Sequence, residues 1–144
     1  MPDAAARTLL NFIIHSRLAT MEEKQAEFAA RALDPDDQPA AMASHNVQTE
    51  QEAAERLFPS FVAGLRHVAA TRESGGATVF DDADPAQNTM ADALIRFLVK
   101  PLLATVDTEE VAAGHYRYHV TLDWAGMQRT ATLAGVDLNA ALAG

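Results

Sequence analysis

The stretch His115 to Trp124, read H-Y-R-Y-H-V-T-L-D-W, constrains the fold more than any other part of this 144-residue chain. Its alternation puts Tyr116, Tyr118, Val120, Leu122 and Trp124 on one side and His115, Arg117, His119, Thr121 and Asp123 on the other. Successive side chains of a strand leave opposite faces, so this is the pattern of a strand with one face buried and one wet. Aromatic side chains bury a large area and pack well on a pleated surface. The aromatic side is therefore expected to carry the core, with Trp124 buried at its centre and the upstream helices closed over it.

Those helices are legible as apolar residues at three- and four-residue spacing. Between Asp3 and about Leu33, Leu10, Ile13, Ile14, Leu18, Met21, Phe28 and Ala32 form one such face. Thr20 with Glu23 makes a capping box that would divide the segment near Ala19, and one long helix is the favoured reading. D-P-D-D-Q-P then stops the helix and opens a solvated linker reaching to about Gln48. Thr49 with Glu52 caps a second helix, predicted from Glu50 to about Arg72, in which Pro59 imposes a kink or a break. Gly75 and Gly76 end it, and A-T-V-F follows as a short edge strand. Asp84 and Pro85 read as N-cap and first residue of a third helix. Its apolar residues (Met90, Leu94, Ile95, Phe97, Leu98) wrap most of its circumference, which places it in the middle of the fold.

Beyond Trp124 two readings compete. In one, Ala125 and Gly126 turn the chain and Met127 to Leu133 returns as a strand, supported by Thr130 and Thr132; in the other, Asp123 caps a helix. The β-branched content favours the hairpin. Asp137 caps a last helical turn, Leu138 to Ala143. The fold class expected is α+β: a single domain over residues 1–144, with a small antiparallel sheet of two or three strands packed against three or four helices, mainly in the N-terminal two-thirds.

Composition narrows the function classes. There is no cysteine, hence no disulfide, thiolate nucleophile or cysteine metal site, which suits a cytoplasmic location. The first residues carry an acid where a signal peptide is basic, so secretion by that route is not expected. The most apolar stretch, Leu94 to Val106, is interrupted by Arg96, Lys100 and Pro101 and is too short to span a bilayer. Twenty acids against 11 lysines and arginines give a net charge of −9, which repels phosphate backbones and anionic lipid. Neither nucleic acid nor membrane is an expected partner. The segment L-A-G-V-D-L-N-A-A-L resembles the turn of helix-turn-helix repressors, but its second helix has no basic residue with which to hold phosphate.

His115 and His119 have zinc-ligand spacing only on a helix; on a strand they stand roughly 13 Å apart at about 3.3 Å per residue. Asp81, Asp82 and Asp84 lack the ligand spacing of a calcium loop and read as capping and solubility residues. No metal and no cofactor is expected, and no serine sits in a nucleophile-elbow context. The function expected is protein–protein binding, as an adaptor, inhibitor, immunity protein, secretion chaperone or accessory subunit. The partner would present a basic surface, or be a second copy in a homodimer. The alternative is a small enzyme or ligand-binding domain with its pocket between the kinked second helix and the sheet. Candidate binding residues are His115, Arg117 and His119 on the polar strand face, Arg66 and His67 on the second helix, and Asp36 and Asp37 in the linker, where acids would steer a basic partner.

Overall fold

Alternating apolar and polar residues make His115–Leu122 (β3) a strand, and it is the middle one of three, in the order β1-β3-β2. The computed structural model describes residues 3–16, 39–73 and 76–143, with the backbone alone for 39–49. Strand β1 is Thr78–Asp81 and strand β2 is Ala104–Ala112, both antiparallel to β3. The fold is α+β, as expected. Registers Phe80↔Tyr118 and Val106↔Val120 set Thr78, Phe80, Ala104, Val106, Tyr118, Val120 and Leu122 on one face. Of these Thr78, Phe80, Ala104, Val120 and Leu122 are buried, and Thr78 shares a 2.8 Å hydrogen bond with the Thr71 hydroxyl, which itself donates to the Val68 carbonyl.

Helices cover that face. Residues 4–16 are helical (α1) and bury Ala6, Leu9, Leu10, Ile13 and Ile14, one stripe at helical spacing. The expected division near Ala19 lies outside the described residues, as do Asp36 and Asp37. Helix α2 runs Pro39–Ala69, not from Glu50, so residues 39–48, expected in the linker, are helical. The reason is local: Pro39 suits a first helical position, and A-A-M-A-S supplies strong helix formers without a breaker. Thr49 and Glu52 therefore sit inside a helix. Pro59 does not break it; both Pro59 and Glu55, whose carbonyl loses its donor, lie on the exposed face where water can serve that carbonyl. At its end the chain tightens into three-residue turns, Thr71 N–H to Val68 and Arg72 N–H to Ala69, so the helix stops before Arg72.

Helix α3, Pro85–Leu98, is capped by Asp84, whose side chain accepts from the Ala86 N–H, and it buries Ala91, Ala93, Leu94, Phe97 and Leu98 between α2 and the sheet. Gly64 of α2 permits the close approach, since a Cβ there would stand 3.1 Å from Leu94 and 3.3 Å from the Met90 carbonyl. Phe61 and Phe97 meet edge to face at 6.0 Å between ring centres.

After β3 the chain turns into helix α4, Trp124–Ala134, and then α5, Leu138–Leu142; the hairpin expected there is not formed. The Asp123 carboxylate accepts from the Gly126 N–H at 3.1 Å, and Gly135 closes the helix in the left-handed region. The threonines that suggested a strand are accommodated by turning their hydroxyls back, Thr130 to the Gly126 carbonyl and Thr132 to the Gln128 carbonyl. Met127 and Ala131 are buried on the inner side of α4, and Leu138 and Ala141 on that of α5. The expectation for Trp124 is corrected with it. Because β3 ends at Leu122, Trp124 opens a helix instead of extending the aromatic rungs; it is half-buried, with the Arg72 guanidinium 4.8 Å above its ring. The centre of the core is Phe61, Phe80 and Phe97.

Candidate binding face and its histidine–aspartate cluster

The period of two that sends Val120 and Leu122 inward sends His115, Arg117, His119 and Thr121 to the other side of β3, away from the helices. Register completes that face. Val79 and Asp107 flank His119, and Asp81 and Glu109 flank Arg117, so acids from both neighbouring strands border the nitrogen-bearing side chains of the central one. Arg117 Nε donates to Asp81 Oδ2 at 3.3 Å, and His119 Nε2 lies 2.9 Å from Glu109 Oε2 along the diagonal of the ladder. His115 Nε2 lies 2.6 Å from Asp81 Oδ1. The two histidines thus take different acids and share none, as their places on a strand require.

Asp81 is the most heavily used carboxylate. Its Oδ1 accepts from the Ala83 N–H at 2.9 Å as well as meeting His115, and these bonds, with Arg117 beside it, lower its pKa from the ordinary 3.8 to about 2. The backbone around it is fixed at three points. Asp81 N–H donates to Gln87 Oε1, Asp82 N–H donates to the Tyr116 carbonyl at 3.1 Å, and Asp84 caps α3. Asp82 follows, with Oδ1 3.7 Å from His115 Nε2. One atom each from Asp81, Asp82 and His115 fall within 4.8 Å of one another, the one such group of metal-ligating side chains among the described residues.

The other candidates lie elsewhere. Arg66 ties the ends of the fold together: its Nη2 donates to Asp3 at 2.8 Å and its Nε to the Ala143 carbonyl at 3.1 Å. His67 sets its ring 5.2 Å from that of Phe80, on the helical side of the sheet. Arg66 and His67 are therefore separated by the sheet from Arg117 and His119, and the four do not converge on one pocket. A groove of about 230 Å³ lies instead between α1 and α2, lined by Arg7, His15, Glu55 and Phe58 among others. Sequence reasoning missed Asp81, Asp82 and Glu109 as partners of His115, Arg117 and His119. The only available signal was the density of acids just before α3, and that does not reveal register. No family model matches this chain, and neither a curated protein nor a solved structure matches it.

Proposed function

We propose that this protein acts by binding another protein, taking an extended basic segment of its partner alongside β2. The observation that supports this reading is the open edge of that strand. One long side of β2 pairs with β3; on the other, no hydrogen-bonding partner occurs among the described residues, and seven of its nine residues are exposed. An unpaired strand edge offers a row of backbone donors and acceptors to an incoming strand, which supplies affinity, while the side chains select the sequence. Here they are Asp107, Glu109 and Glu110. Lysines or arginines at alternate positions of the partner would meet Asp107 and Glu109 on one face, an intervening one would meet Glu110 on the other, and the net charge of −9 would speed the encounter.

A second copy of the chain is a poorer occupant, because antiparallel pairing of two β2 edges brings acids against acids. The test is capture from the protein's own cell extract on two baits, the natural chain and a Glu109→Lys, Glu110→Lys variant. A basic protein held by the first bait and lost from the second, with amide exchange slowed over residues 104–112 in the complex, is the expected result. Equal retention on both baits, no retention, or no slowing at β2 would overturn the reading.

A further inference from the structure

At the opposite side of the sheet from β2, three side chains from two distant parts of the chain meet around one small volume. Asp81 ends β1, Asp82 follows it, and His115 begins β3, 34 residues after Asp81. We propose that Asp81, Asp82 and His115 bind a divalent first-row metal ion of the zinc type. The donor set is one imidazole nitrogen and two carboxylate oxygens, which suits zinc, cobalt or manganese better than calcium or magnesium, whose preferred shells are all oxygen. Distances agree. Two ligands each about 2.1 Å from one ion stand roughly 3 to 4 Å apart, and the Asp82 Oδ1 to His115 Nε2 separation is 3.7 Å. The Asp81 Oδ1 to His115 Nε2 separation, 2.6 Å, is that of a hydrogen bond; the metal replaces the proton between them and opens the pair by roughly 0.5 to 1 Å, a small turn of either side chain.

Asp82 distinguishes this cluster from a row of solvated acids. Its side chain is only 19% exposed, yet its carboxylate accepts no hydrogen bond among the described residues and faces the imidazole. Its oxygens still reach solvent, so a carboxylate with no protein donor, held against an imidazole, is open to an incoming cation. Asp81 is oriented by Arg117 on its far oxygen Oδ2 and by the Ala83 N–H on the ligating Oδ1 itself, contacts that hold a metal-binding carboxylate in place. Three protein ligands leave at least one coordination position, which water takes on the exposed side.

The site is independent of the β2 edge, and its test does not need a partner. The full chain, stripped with chelator and returned to chelator-free buffer, is titrated with zinc chloride by calorimetry and with cobalt chloride by visible absorption. Uptake of one equivalent, a raised melting temperature and cobalt d–d bands of low-symmetry coordination are expected. His115→Ala and Asp82→Asn should each weaken binding at least tenfold, as loss of a ligand does, while His119→Ala, whose ring faces Glu109, binds as the natural chain does. Circular dichroism matched to the natural chain certifies that the variants fold, and Asp82→Asn preserves side-chain shape. Absence of saturable uptake by the natural chain, or full-strength binding by both ligand variants, would overturn the proposal.

Discussion

Phe80→Ala tests how β1, and with it the aspartate pair, is held in place. Phe80 is wholly buried in a strand of four residues and stands opposite Tyr118. Truncating a buried phenylalanine to alanine costs about 3 to 5 kcal/mol, the sum of lost transfer energy and the cavity left behind. One neighbour can relax: His67, exposed and with its ring 5.2 Å away, can tip into part of the gap. The lower end, about 3 kcal/mol, is therefore expected, still a large fraction of the roughly 5 to 15 kcal/mol that keep a domain folded. Urea unfolding followed by circular dichroism measures it, with Phe80→Leu as the control that keeps most of the volume and should lose less than about 1.5 kcal/mol. A loss below about 1 kcal/mol for Phe80→Ala, at unchanged denaturant dependence, would refute the packing argument.

Asp123→Ala should cost about 1 kcal/mol by removing the α4 cap, and Gly126→Ala should destabilise although alanine favours helix, because the new Cβ would stand 2.7 Å from Asp123 Oδ2. In the double variant the second loss should shrink, and strict additivity in thermal melts would contradict that contact. Trp124→Ala should lose about 1 to 2 kcal/mol, less than a fully buried tryptophan, through partial packing and the Arg72 guanidinium over its ring; a loss above about 4 kcal/mol would mean the side chain is central after all. Leu102 is 81% exposed with φ of 63°, so Leu102→Gly should raise stability by up to about 1 kcal/mol, and a lower melting temperature would count against strain there. Asp81 is lowered from 3.8 to about 2, so its stabilising contribution is present above about pH 4 and fades as pH falls toward 2. With chelator present, acid unfolding of Asp81→Asn should differ from the natural chain above that window and converge below it; a constant difference through pH 2 would exclude Asp81 as the cause.

Where one face of a segment is buried and the other wet, the pattern could be read. This holds for β3, while β1 is legible from its place after two glycines and α3 from its Asp84–Pro85 start and its broad apolar surface. Strand β2 went unread for the same reason in reverse: T-V-D-T-E-E-V-A is exposed on both faces over most of its length and is a strand only because β3 pairs with it. At α4 β-branched content misled, because threonine hydroxyls bonded four residues back fit a helix and propensity does not register that. The polar residues of the strand face could be named from alternation. Their acidic partners could not, since Asp81 meets His115 through register across 34 positions, and neither residue carries a local mark of it.

The order β1-β3-β2 also sets a sequence of events in assembly. Strands β2 and β3 are neighbours in the chain, joined through Ala113 and Gly114, whereas β1 reaches β3 only across α3 and the whole of β2. Local pairing closes sooner than distant pairing because less chain entropy is lost before contacts form. The hairpin is therefore expected to form before β1 docks. During that interval the apolar rungs Tyr118 and Val120 border a second bare edge, one without the acids that guard β2. Chain release before β1 arrives would leave that edge to recruit another molecule, so self-association during synthesis should begin at β3.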